Sequence, residues 1–185
     1  MTPVIVLFVA TGVGCFVLAG LEAVGVGFFF VPAYRFGLKA VVTQRPTVAA
    51  LAVEVAARGK TDHAHYRVLG DLCLFGCTPM YSELSRHYAS PLMLKGTISW
   101  RGGVLTIIGR YPVGAPTLSA YVIVVFLTVA ADLFAVHQPV LACLSGSLAV
   151  GLCTFLVLVR PHELRRFHLC AAEVLARLEE SALDS

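Results

Sequence analysis

The sequence predicts a mainly α integral membrane protein, with three transmembrane helices and a small α+β inside domain containing an antiparallel β-hairpin. Three observations predict it. Apolar residues make up 58% of the 185 and charged residues 14%, against roughly 45–50% and about 25% in soluble domains, and mean hydropathy is +0.83. Three apolar runs each reach the roughly 20 residues that a helix needs to cross about 30 Å of hydrocarbon. Between the first two runs, an alternating apolar and polar stretch interrupted by Gly102-Gly103 has the period of paired strands. The same composition excludes a free-standing soluble protein, a disordered chain and a disulfide-stapled secreted module, because the six cysteines are spread thinly.

Residues 1–33 form the first transmembrane unit. No charge occurs from Thr2 to Leu21, Glu22 follows, and the chain is uncharged again to Tyr34 before Arg35. The expected span runs near 4–31 with one acid inside it. This run has no basic n-region and no clear small-residue cleavage pattern, so it reads as a retained anchor rather than a signal peptide.

Residues 34–117 form the α+β domain. Pro46 suits the first position of a helix in which Glu54 and Arg58 form an i,i+4 pair and Gly59 marks the end. Residues 66–75 read as one or two short strands. Thr78-Pro79 opens a second short helix, with Tyr81, Leu84 and Tyr88 on one face, closed before Pro91. The hairpin occupies 92–111. A two-residue turn at Gly102-Gly103 sets the pairs Trp100/Leu105, Ile98/Ile107, Gly96/Gly109 and Leu94/Tyr111 on one face, and Arg101/Val104, Ser99/Thr106, Thr97/Ile108 and Lys95/Arg110 on the other. A hairpin alone is barely stable, so other elements or the membrane surface must cover its apolar face.

Residues 118–159 hold two spans, near 118–136 and 140–159, joined by the polar turn His137-Gln138-Pro139. After Val159, residues 160–185 read as an amphipathic helix opened by Pro161. Leu164, Phe167, Ala171, Val174 and Leu178 recur at steps of three and four and need a partner, either the inside domain or another subunit.

Ten basic residues fall between positions 34 and 117 and four follow Val159, which together are all fourteen. Three spans place both groups on one side, so the N-terminus is expected outside and the middle domain and C-terminus inside. A bacterial inner membrane and a mitochondrial inner membrane both fit. Thiols on that side are normally reduced, and Cys15, Cys143 and Cys153 read as small packing residues within the spans.

Three intramembrane polar residues stand out. Glu22 is the leading functional candidate, because a carboxylate at that depth normally faces a bundle interior or an aqueous path. Helix packing is the preferred role, with ion or proton conduction the alternative. Small residues flank it at Ala10/Gly14 and Ala23/Gly27. Asp132 is expected level with Ser145 across the hairpin, with Thr128 one turn below. Lys95, Arg101 and Arg110 share one face of the β-hairpin and are candidates for anionic lipid headgroups; Lys95 opposite Arg110 needs an anion or solvent between the charges.

His63, His65, Cys73 and Cys77 are zinc-ligand types without a usual zinc spacing, and no metal or cofactor is expected. Ser82, Ser85 and His87 lack a nucleophile motif and an orienting acid, and phosphate loops, dinucleotide fingerprints and HExxH are absent from the sequence. No catalytic residue is assigned. A net charge of +3 gives little support to a nucleic-acid partner. The expected function is a non-catalytic membrane accessory or assembly subunit of a larger complex, partnered by other membrane subunits and by lipid. A conducting homo-oligomer built on Glu22 and a membrane sensor with an inside ligand-binding domain are the alternatives.

Overall fold

The computed structural model describes residues 3–46, 58–77, 94–101 and 103–183. Three of its helices are long and apolar enough to cross a membrane. They are α1 (Pro3–Gly27), α3 (Gly114–Ala135) and the first part of α4 (Pro139–Leu183); a short α2 (Val31–Arg35) follows α1. The strands β1 (Leu38–Pro46), β2 (Arg58–Lys60), β3 (Ala64–Leu69), β4 (Leu72–Cys77), β5 (Lys95–Arg101) and β6 (Val104–Tyr111) form one antiparallel sheet in the order β1-β6-β5-β4-β3-β2.

The first helix stops at Gly27, four residues short of the expected span end, because the chain closes it there. Phe30 N–H donates to Gly25 O at 2.9 Å and Phe29 N–H to Val26 O at 3.1 Å, with Phe29 at φ 55°. That is a Schellman closure with a left-handed residue in the place glycine usually takes. The turn between α3 and α4 closes the same way, through Gln138 N–H to Leu133 O at 2.9 Å and His137 N–H to Phe134 O at 3.1 Å, with His137 at φ 59°.

The β5–β6 hairpin has the expected register from Lys95↔Arg110 to Arg101↔Val104. β5 begins at Lys95, however, so Leu94 does not pair with Tyr111; Tyr111 pairs with Leu38 on the other side of β6. The stretch 66–75, expected as one or two short strands, falls in two, β3 and β4. Strand β1 is an addition to the expected architecture. Pro46 ends it rather than opening a helix, a position an edge strand tolerates because the missing N–H removes no ladder bond on its open side. Arg58 and Gly59 belong to β2, opposite Arg67 and Tyr66. Glycine serves there by leaving room for the Tyr66 ring, which a Cβ would meet at 2.2 Å. The remainder of the two expected helices, at 47–57 and 78–93, lies outside the described residues.

Helix α4 continues through Pro161, which was expected to start a new helix. The proline removes one amide bond, to Val157 O, but the segment beyond it is fixed by packing. Phe167, Ala171, Val174 and Leu178 are all buried against Ile98, Ile107, Leu105 and Phe75, with Leu164 at the margin. The stripe's partner is therefore the sheet of the same chain. Gly96 and Gly109, paired across the hairpin, form a slot for two rings: a Cβ on Gly96 would meet Phe75 at 2.0 Å and one on Gly109 would meet Phe167 at 2.8 Å. The two rings stack with centroids 5.3 Å apart.

Candidate functional site

Glu22, near the end of α1, meets the start of β5 and the start of α3. Its Oε1 forms an ion pair with Lys95 Nζ, and its Oε2 accepts the backbone N–H of Gly114 at 2.7 Å. Both side chains are buried, Lys95 at 2% and Glu22 at 7% exposure. Val113, before α3, supplies no side-chain cap. Glu22 takes that role from another helix, and the negative charge suits the positive end of the α3 dipole. The contact depends on a close backbone approach, since a Cβ on Gly114 would lie 2.4 Å from Ala19 Cα.

Lys95 faces Arg110 across the hairpin, and Glu22 is the anion that this like-charge pair needs. Tyr34 of α2 closes the junction beside it. Its ring is buried and stacked on Phe29, its hydroxyl donates to Val26 O at 3.2 Å, and Gly76 of β4 lies against that hydroxyl. The junction therefore joins α1, α2 and α3 to β4 and β5, and both oxygens of Glu22 are engaged within it.

The other polar residues singled out from sequence lie apart from this junction. Ser145 is buried and donates to Phe126 O at 2.8 Å, so it stands level with Phe126 rather than with Asp132. Asp132 is exposed, three residues before the end of α3, because the tight turn after Ala135 places it at the hairpin tip. Lys95 is engaged with Glu22 and does not present its charge to a headgroup. Arg101 is exposed and ion-paired with Asp71 of the β3–β4 turn, which holds that carboxyl below its usual range by hydrogen bonding. It stands six residues along β5 from Lys95, about 20 Å away. Arg110 Nη1 donates to Gly37 O at 3.4 Å, and its Nε is buried with no hydrogen-bond partner among the described residues. The three basic residues therefore do not form one cluster.

The zinc-type residues also separate. Strand alternation puts His65 on the opposite face of the sheet from Cys73 and Cys77, and His63 is taken by Glu173. Among the described residues, no group of three or more His, Cys, Asp or Glu is placed to hold a metal ion.

A second polar group, unforeseen from sequence, fastens the β2–β3 turn to α4. His63 Nδ1 pairs with Glu173 Oε1, His63 N–H donates to Glu173 Oε2 at 3.2 Å, and Cys170 Sγ donates to His63 O at 3.2 Å. Glu163 and Arg166 lie on the same helix with Oε1 and Nη1 3.9 Å apart. The available signal was the spacing 163, 166, 170, 173, which runs beside the apolar stripe at steps of three and four. A cavity of about 320 Å³ opens here, lined by His63, His162, Glu163, Arg165, Arg166 and Leu169.

Comparison with family models, with curated proteins and with solved structures finds no match to this chain.

Proposed function

We propose that this chain is a non-catalytic integral membrane accessory or assembly subunit of a larger membrane complex, with its sheet and C-terminal helix inside and its N-terminus outside. The observation that carries the reading is the Glu22 junction. The acid in the first apolar run is neutralised by Lys95 and bound to the Gly114 amide, so it joins helices to sheet and is not left open to an aqueous path. A buried ion pair adds little net stability but fixes which surfaces meet, as a subunit that presents fixed faces requires. Such faces are supplied by α1, where Leu7, Phe16 and Leu21 are exposed, and by β1, the edge strand of the sheet among the described residues. Lipid and other membrane subunits are the proposed partners. For anionic headgroups the relevant charges are those at the sheet end of the helices, Arg110 and Arg160, rather than Arg101.

Gentle-detergent purification followed by mass identification of co-migrating chains tests the proposal. A multi-protein assembly of fixed stoichiometry is expected. A clean homo-oligomer whose proton or cation flux in vesicles is abolished by Glu22→Gln would overturn it in favour of conduction.

A further inference from the structure

Past Val159, where the charge-free part of α4 ends, the helix carries His162, Arg165, Arg166 and Leu169. Steps of three and four put these residues on one face, and with Glu163 and with His63 of the β2–β3 turn they line the cavity of about 320 Å³. At 1.5 Å per residue, His162 stands about 5 Å and Arg166 about 10 Å beyond Val159. Headgroup regions extend about 5–8 Å on each side of the hydrocarbon. With the apolar part of α4 in the bilayer, the cavity lies where lipid phosphates meet water.

The charges on its wall do not balance. Glu163 is the one acid there among the described residues, against Arg165, Arg166 and two histidines; Glu173, nearby on α4, is engaged through both oxygens by His63. Arg166 lacks partners. Its Nε and Nη2 are buried with no hydrogen-bond partner among the described residues, and its Nη1 is 3.9 Å from Glu163 Oε1, beyond hydrogen-bonding distance. Nε–H and Nη2–H run parallel along one edge of the guanidinium, the fork that takes two oxygens of a phosphate at once. A cation left in this state inside protein is costly, and an anion beside it lowers the cost. Some 13% of the side chain stays exposed, and Arg166 reaches the cavity wall with it.

We propose that this cavity binds a phosphate group, carried by an anionic phospholipid on the sheet side of the membrane, with Arg166 as its principal contact and Arg165 and His162 at the rim. No hydrogen bond among the described residues holds the guanidinium, so a turn about its side-chain bonds presents the open fork to the phosphate. Arg165 and His162 are exposed and supply further donors at the mouth. The lipid source is favoured over a free phosphate by what lies next to the cavity. Leu158, exposed and four residues before His162, continues the same helix face into the apolar span, where acyl chains run. The site deepens the lipid contact put forward above; it rests on the apolar part of α4 lying in the bilayer and not on the accessory-subunit role.

Purified full-length protein in an uncharged detergent is titrated with phosphatidylglycerol or, at matched ionic strength, with inorganic phosphate. The unfolding temperature, which rises with any ligand of the folded state, is read beside lipid retention in native mass spectrometry. Phosphatidylglycerol should raise that temperature in the wild type. Arg166→Gln and Arg165→Gln should each weaken its binding about fivefold. Arg177→Gln, which removes an exposed arginine of the same helix outside the cavity, should leave binding unchanged. Arg166→Lys keeps a charge beside Glu163 without the fork, so it should fold as the wild type does and bind the lipid more weakly. A rise with the lipid, with or without one for inorganic phosphate, supports the headgroup site. A rise with inorganic phosphate alone, lost in Arg166→Gln, keeps the phosphate site and overturns its lipid source. Equal lipid retention in the wild type, Arg165→Gln and Arg166→Lys overturns the site altogether. Co-migrating chains are identified in a separate measurement, so that outcome leaves the accessory-subunit reading standing.

Discussion

Lys95 carries a charge that sequence reading directs outward and the fold directs inward. Its register opposite Arg110 was legible from strand alternation, and so was the need for an intervening anion. The identity of that anion was not, because Glu22 is 73 positions away (95 − 22) on a different element and only the packed sheet brings the two together. The pair is buried, so removing one partner strands the other. Lys95→Met or Glu22→Leu alone should destabilise the protein by about 3–5 kcal/mol. Glu22→Gln should be milder than Glu22→Leu because the amide oxygen still accepts from Gly114 N–H. The double variant Glu22→Gln with Lys95→Met removes both charges and keeps that acceptor. It should unfold at a higher temperature in detergent than Lys95→Met alone. If the single losses simply add, the two side chains are not coupled and the junction is not what aligns helix with sheet.

At the scale of elements, the hairpin was the most legible part of the chain. Alternating residues and a glycine turn set a period-two register that a one-residue slip would ruin by turning the apolar side chains outward. The C-terminal stripe was legible as a face that needs covering, but two surfaces competed to cover it, and only tertiary packing chose the sheet. Strand β1 was obscured by Lys39, Arg45 and Pro46, which are ordinary on an edge strand yet resemble a loop leading into a helix. Gly96 and Gly109 were visible as a cross-strand pair without a visible purpose. The purpose is the ring slot, and it yields a prediction. Gly109→Ala places a methyl 2.8 Å from the Phe167 ring, and Phe167 is fully buried, so overpacking should cost about 1–3 kcal/mol. Adding Phe167→Leu should recover part of that loss in thermal unfolding. Failure of the second substitution to help would mean that the methyl group is accommodated elsewhere and that the ring does not define the slot.

At the scale of the whole molecule, three candidate spans place the start of α1 and the sheet at opposite ends of the helices. Glu22, near the end of α1, binds the first amide of α3, and α3 follows the sheet directly in the chain. The basic residues follow the same division: all fourteen lie in the sheet domain, its flanks or the segment after Val159, which is the asymmetry behind the proposed placement of that end on the inside. The long α4 then belongs to both worlds. Pro139 to Val159 is uncharged, about 32 Å at 1.5 Å per residue, and the remainder docks on the sheet. Introducing single cysteines at positions 2 and 183, in a background lacking Cys15, Cys143 and Cys153, permits labelling from either face of sealed vesicles. Position 2 should react only from outside and position 183 only from inside. Reaction of both from one face would require an even number of crossings, leaving one of the three apolar helices out of the bilayer, and the helix to remove would be α1 or α3, since α4 alone joins a full apolar span to the docked stripe.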